Sequence, residues 1–172
     1  MIKDLETERA ILRMFTMDDL DTFAAICSNP QVTKYIGIEC KPIPREDVKD
    51  AIVSILKHWE KNGFGRWAVV NKESNQLIGY SGLRSHEGTA ELVYLLDEPF
   101  WNKGMATEIS TAVIKVGFED HNFPRIIAMT RPENTASIRV MEKIGMKLEK
   151  GDEITGISVI IYALSKEDYL SK

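Results

Sequence analysis

Phe100-Trp101-Asn102-Lys103-Gly104-Met105-Ala106-Thr107-Glu108 stands between a run of β-formers, Ala90 to Leu96, and an apolar helical pattern. Its reading decides the fold. Ile109, Ala112, Val113, Val116 and Gly117 recur at helical spacing, so a helix begins near Gly104. Pro124 to Thr130 then reads as a buried strand through Ile126, Ile127, Ala128 and Met129. A strand, a crossover helix and a second strand imply a parallel pair.

Toward the N-terminus, Ala90 to Leu96 is the third of three strands. Arg66 to Asn71 and Leu77 to Arg84 precede it, separated by turns at Lys72 to Gln76 and His86 to Gly88. Gly79 and Gly82 inside the second strand point to close packing or a bulge. The clearest helix runs from Arg45 to Lys61. Val48, Ala51, Ile52, Ile55, Leu56 and Trp59 form its one apolar face, and Asn62-Gly63 ends it. Earlier still, Arg9 to Phe15 reads as a half-buried strand. Thr16 with Asp18, Asp19 and Asp21 opens a helix reaching Cys27, and Asn29-Pro30 breaks it. A short helix carries Val32, Tyr35 and Ile36. Toward the C-terminus a helix spans Asn134 to Ile144, with Gly145 at its end, and strands follow at Met146 to Lys150 and Ile157 to Leu164. The order is βααα-βββ-α-β-α-ββ. The fold class is α+β (mixed α/β), a single domain over residues 1–172 with a mostly antiparallel mixed sheet and helices on both faces.

Composition narrows the function. The formal net charge is −4, whereas a general nucleic-acid binder carries a positive excess. The longest nearly apolar run, Ile157 to Leu164, falls far short of the about 20 residues of a membrane span. Cys27 and Cys40 form no C-x-x-C pair and have no His at metal-ligand spacing, so no metal site is expected. Two free thiols fit a reducing compartment, and Met1 to Arg13 has no apolar block, so no signal peptide is read and a cytoplasmic protein is expected.

Two stretches carry chemistry. In the first, Gly104 and Ala106 remove bulk where a strand ends and a helix starts. Backbone N–H groups of Asn102 to Thr107 can then point into one concavity with the positive end of the helix dipole, which suits a pyrophosphate. A plain helix start with small residues for packing explains the same spacing. A Walker-type loop and a dinucleotide fingerprint are both absent. The second stretch follows the second parallel strand. It runs Arg131-Pro132-Glu133-Asn134-Thr135-Ala136-Ser137-Ile138-Arg139-Val140-Met141-Glu142-Lys143-Ile144-Gly145-Met146. From the chemistry alone Asn134 reads first as a helix N-cap, with a ligand contact as the alternative. Ser137 lies one turn in, at the crevice where open α/β sheets bind ligands.

The W-x-x-G-x-A-T-E segment and the later N-x-x-S-x-R-V-M-E-K-I-G-M segment resemble the acyl-CoA signatures of the GNAT N-acetyltransferases. Thr7-Glu8-Arg9-Ala10-Ile11-Leu12-Arg13 resembles the opening of the Rim-type branch, which includes the ribosomal-protein N-terminal acetyltransferases. The resemblance implies the GNAT fold, with a central splayed parallel pair and Ala90 to Leu96 as one of its strands. It implies acetyl-CoA as donor. Main-chain groups near Leu95 and Leu96 would pair with the pantetheine arm. Trp101, Asn102, Lys103, Gly104, Met105, Ala106 and Thr107 would hold the pyrophosphate. Asn134 would bond the cofactor arm, and Lys143 would approach its nucleotide end. The implied reaction is direct attack by a primary amine in a ternary complex.

For that reaction Glu91 is the candidate base, through water, and an exposed strand carboxylate is its alternative. A backbone N–H near Leu95 or Leu96 is the oxyanion donor. Many relatives place a Tyr that protonates the thiolate at the position of Met141, and Met cannot do this. In the Rim-type branch a Ser at the position of Ser137 is the proposed acid, so the resemblance implies that role for Ser137, its alternative being a small residue that clears room for the cofactor. Gly156 to Val159 lacks the acidic residue that many relatives carry before the last strand. The acceptor is a protein N-terminal amino group or a small amine such as a polyamine, amino acid or amino sugar, and Tyr35 to Arg45 would line its cleft. A non-catalytic acyl-CoA-binding module is the alternative from another class. A homodimer is left open, and neither nucleic acid nor membrane is expected as partner. Residues 101–150 carry 8 basic and 6 acidic side chains, so the positive share lies where a polyanionic cofactor is expected.

Overall fold

The computed structural model describes residues 4–171; residues 1–3, part of the stretch read for a leader, lie outside the described residues. The strands are β1 (Leu5–Glu6), β2 (Ala10–Arg13), β3 (Arg66–Asn71), β4 (Gln76–His86), β5 (Thr89–Leu96), β6 (Arg125–Thr130), β7 (Lys147–Ile154) and β8 (Ile157–Ser165). The helices are α1 (Leu20–Cys27), α2 (Pro30–Thr33), α3 (Arg45–Asn62), α4 (Met105–Glu119), α5 (Thr135–Lys143) and α6 (Lys166–Leu170). One sheet runs in the order β1-β2-β3-β4-β5-β6-β8-β7. Every pairing is antiparallel except β5 with β6.

That parallel pair is short. Only Ala90 with Ile126 and Glu91 with Ile127 are in register, although β5 continues to Leu96 and β6 to Thr130. Beyond Glu91 the two strands part, and the sheet opens into a V at their C-terminal ends. Helices cover both faces. On one, Phe23 of α1 meets Tyr80 of β4 edge-on at 5.9 Å. On the other, Gly117 of α4 is so close to the sheet that a Cβ would lie 2.7 Å from Ile126 Cδ1 and 3.0 Å from Leu83 Cδ1. Tyr80 and Leu83 are an odd number of positions apart, so they point to opposite faces.

The apolar periodicities fold as read. Val48, Ile52, Ile55 and Trp59 of α3 are buried, and Gly63 closes that helix in the left-handed region at φ 73°. Asn29-Pro30 does more than break a helix. The Asn29 side chain accepts from the Gln31 N–H, and Pro30 takes the first position of α2, so the short helix begins there; it ends at Thr33, so it carries Val32 but not Tyr35 or Ile36, which follow in turns. Strand β7 runs four residues beyond Lys150, because its outer positions show no apolar alternation: all but Ile154 are exposed. It is a charged edge strand, which resists pairing with other chains. The two-residue β1 and the five-residue α6 are too short for a periodic signal. His86, read as part of a turn, is the last residue of β4, leaving Glu87-Gly88 as a two-residue hairpin loop. No helix among the described residues is long and apolar enough to cross a membrane.

Candidate active site

The open V places four structures around one cleft: the end of β5, the turn into α4, the end of β6 and the first turn of α5. The turn is shaped by Asn102 at φ 57° and Gly104 at φ 75°. Both lie in the left-handed region, which favours Asn and Gly. Gly104 is the N-cap of α4 and offers no side-chain cap, so the first N–H groups of the helix are left for an outside acceptor. Trp101, Asn102, Lys103 and Gly104 are exposed, Ala106 and Thr107 are half-buried, and Met105 is buried beneath them as an anchor. An exposed helix start without its own cap fits a pyrophosphate. The Lys103 ammonium donates to the Pro99 carbonyl at 2.8 Å, and the Trp101 indole donates to the Leu96 carbonyl at 2.7 Å, so both side chains brace the turn.

The turn is also tied to the far strand. Glu108 accepts from the Arg9 main-chain N–H at 2.8 Å and from its Nε at 2.7 Å, while Arg9 Nη1 donates to the Lys103 carbonyl at 2.8 Å. Burial pushes the Glu108 carboxyl up, but bonds from Thr7 and Arg9 together with the Arg9 charge outweigh it and hold it below its ordinary range. The opening strand motif and the turn motif, far apart in sequence, are thus two halves of one support. In the sequence Arg9 is legible as an alternating strand residue and as part of the Rim-type opening, but its partner is not.

On β5, the Leu95 carbonyl lies against Gly79, where a Cβ would be 1.9 Å from it, and the Asp97 N–H donates to Ile78 at 2.8 Å. These groups face β4. Main-chain groups of successive strand residues alternate in direction, so those of Tyr94 and Leu96 face the V. Of the two positions named for the pantetheine arm, Leu96 is on the open side, with its N–H toward the cleft and its carbonyl braced by Trp101.

Glu91 sits at the crotch of the V, 2% exposed. Arg84 holds it bidentately, Nε to Oε2 at 2.6 Å and Nη2 to Oε1 at 3.0 Å, and His86 Nδ1 is 3.9 Å from Oε2. It is therefore a buried, paired carboxylate and not the exposed one entertained as an alternative. Ser137 is reached from β5 by a different residue. Tyr94 Oη lies 2.6 Å from Ser137 Oγ and 3.2 Å from the Ser137 carbonyl, spanning the V from strand to helix. Tyr94 is an odd number of positions from Glu91, so the two side chains leave β5 on opposite faces and the structure does not bring Glu91 and Ser137 together. The Asn134 side chain caps α5 by accepting from the Ser137 N–H at 3.3 Å, which leaves its amide NH2 available. Lys143 is exposed in the last turn of α5, and Met141 is fully buried in the core.

The segment between α2 and α3 closes over the mouth. Arg131 Nη2 donates to the Gly37 and Ile38 carbonyls at 2.9 and 3.3 Å, and Tyr35 Oη donates to the Glu133 carbonyl at 3.4 Å. On the Glu91 face, a cavity of about 480 Å³ lies between the β4–β5 and β7–β8 hairpins, lined among others by His86, Glu87, Ile127, Glu149, Asp152 and Glu153. Among the described residues no three His, Cys, Asp or Glu side chains cluster as metal ligands.

A parallel pair splayed at its C-terminal ends, with an uncapped helix start on one side and a capped one on the other, leaves one open cleft with free backbone donors at its edge. The chain belongs to the GNAT acetyltransferase family: the acetyltransferase (GNAT) domain model matches residues 9–147. It is 31% identical to an uncharacterized N-acetyltransferase p20 of Bacillus licheniformis, over 98% of this chain and 99% of that one. A GNAT-family acetyltransferase structure from Bacillus anthracis superposes with a TM-score of 0.82 at 29% identity, covering 96% and 99% of the two chains. RimL, a ribosomal L7/L12 α-N-protein acetyltransferase solved with coenzyme A, shares the fold with a TM-score of 0.83 at 15% identity, covering 96% and 99%.

Proposed function

We propose that this protein transfers the acetyl group of acetyl-CoA to a protein N-terminal amino group, in a ternary complex. The uncapped start of α4 at the mouth of the splayed β5–β6 pair carries this reading, since it supplies oriented donors where a pyrophosphate must lie. RimL has this fold and acts on a ribosomal protein, which supports the choice of acceptor.

In this reading Trp101 to Thr107 bind the pyrophosphate, Leu95 and Leu96 guide the pantetheine arm along β5, and the Asn134 amide donates to it. Lys143 approaches the nucleotide end. The Leu96 N–H, aimed into the V, stabilises the oxyanion. Glu91, paired with Arg84, attracts the incoming ammonium; its oxygens have lone pairs beyond those given to Arg84, and it receives the proton through water. Ser137 delivers a proton to the departing thiolate.

One observation favours a second acceptor class. The cavity beside Glu91 is lined by Glu87, Glu149, Asp152 and Glu153 and falls within the size range of small-molecule sites, so a small polycationic amine also fits. Thiol release from acetyl-CoA, measured with Ser- and Ala-initiated hexapeptides beside spermidine, separates the two. Turnover of the peptides alone supports the first reading, and of spermidine alone the second. Release with neither, and no rise in melting temperature with millimolar acetyl-CoA, refutes the donor as well.

A further inference from the structure

Ser137 is a weak acid for the task assigned to it. An aliphatic alcohol holds its proton far more tightly than a thiol, so a lone serine gives a proton to a thiolate only against a steep gradient. The structure places a stronger acid directly behind it. Tyr94 Oη is 2.6 Å from Ser137 Oγ, shorter than its 3.2 Å approach to the Ser137 carbonyl. The short contact orders one proton between the two hydroxyls. The Tyr94 proton is within reach of both the Ser137 carbonyl and Ser137 Oγ, and Oγ is the nearer; when it points to Oγ, the proton of Ser137 itself turns toward the cleft.

We propose that Tyr94 is the proton source for the reaction and that Ser137 relays its proton to the leaving group. The inference rests on the reading of Ser137 given above and adds the residue that makes it workable. As the carbon–sulfur bond breaks, its electron pair stays on sulfur, and the Ser137 Oγ–H proton moves to sulfur. The Tyr94 proton moves to Ser137 Oγ in the same step. Tyr94 is left as a phenolate and Ser137 as a neutral alcohol. The proton taken from the amine toward Glu91 balances the charge, and solvent returns it to Tyr94 before the next turnover. Burial pushes the Tyr94 phenol up to about 12, with the Ser137 bond pulling it down. It remains more acidic than an alcohol, so the relay shortens the climb. The same contact answers the loss of an acidic Tyr at Met141, which is sealed in the core.

Tyr94→Phe keeps the ring and removes the hydroxyl. Using acetyl-CoA with whichever of the hexapeptides or spermidine turns over, kcat is expected to fall at least tenfold while KM for acetyl-CoA stays within twofold. In mixtures of light and heavy water the wild type should give a curved dependence of kcat, from two protons in flight, and Tyr94→Phe a straight one. Replacing Tyr94 by 3-fluorotyrosine, which makes the phenol more acidic without changing its shape, should shift the alkaline limb of the pH–kcat profile downward. Unchanged kcat in Tyr94→Phe with a defective Ser137→Ala would overturn the relay and leave Ser137 as the acid. Normal turnover in Ser137→Ala would overturn both. A loss of KM or of melting temperature in Tyr94→Phe, with a straight wild-type inventory and an unmoved fluorotyrosine profile, would make Tyr94 a strut between β5 and α5 and end the proposal.

Discussion

Replacing Arg84 by Met should destabilise the protein more than removing the Glu91 carboxylate it pairs with. The pair is asymmetric: the Glu91 side chain is 3% exposed and that of Arg84 44%. If Arg84 is removed, a carboxylate with little access to water loses its close cationic partner. If Glu91 becomes Leu, the guanidinium can turn outward. Breaking a buried pair by removing one partner costs about 3–5 kcal/mol, and the half-open Arg84 side places Arg84→Met near the lower end. For a chain of this size that is a fall of roughly 6–12 °C in melting temperature. Glu91→Leu should cost only about 1 kcal/mol, in line with the loss of hydrogen bonds whose surviving partner is hydrated. The double variant should recover most of the Arg84→Met loss, since no charge is left behind. Urea unfolding of all four proteins at neutral pH measures the cycle. If Glu91→Leu costs as much as Arg84→Met, or the double variant is worse than either, the account of Glu91 as a buried ion held by Arg84 is wrong.

Three further outcomes follow from the geometry. His58 donates from Nδ1 to the Phe64 carbonyl at 2.8 Å and accepts the Ser85 N–H at Nε2 at 3.2 Å, so it is held neutral; burial, with the Arg66 and Lys61 charges, lowers its pKa below the ordinary 6.5. Its stabilisation is full above 6.5 and is lost as the pH falls through the lower folded value, so urea midpoints should drop as the pH is taken below 6.5 in the wild type and less in His58→Gln. Gly79→Ala would drive a Cβ to 1.9 Å from the Leu95 carbonyl and should cost about 3 kcal/mol or more, read by urea unfolding; a wild-type midpoint would mean the β4–β5 contact is loose. Glu108→Gln should weaken acetyl-CoA binding several-fold in a thermal-shift titration, because the turn loses its charged tie to Arg9, and unchanged affinity would show that the turn holds its shape alone.

What the sequence disclosed and what it hid divide along a physical line. Val48, Ile52, Ile55 and Trp59 announce α3 because one face of a helix must be buried, and that demand recurs every turn. The strand–helix–strand unit from β5 to β6 is legible for the same reason. Strand β7 was legible only in part, since an edge strand with exposed outer positions leaves no periodic trace. In the site, Gly104 and Asn134 could be read because their roles are local: a left-handed turn and a helix cap. Arg9 with Glu108 and Arg131 with Gly37 could not, because each pairing is made by tertiary contacts that spacing along the chain does not encode. Arg84 with Glu91 was hidden by the turn, since a loop read as His86 to Gly88 misses the register that the two-residue Glu87-Gly88 loop sets.

Tyr94 marks the boundary between those cases. Its place on β5 was clear, and so was the place of Ser137 at the start of α5. What decided their relation was the angle at which β5 and β6 diverge. On the proposed reading the splay admits a pantetheine arm near Leu96, and it is narrow enough at Tyr94 for a phenol to bridge strand and helix. One side chain therefore couples the width of the cleft to the position of the candidate acid. A residue that opened α5 away from β5 would separate Tyr94 from Ser137 without touching either. Mutations at the α5–β5 contact should accordingly impair turnover before they impair acetyl-CoA binding, because the start of α4 is held independently by Arg9 and Glu108.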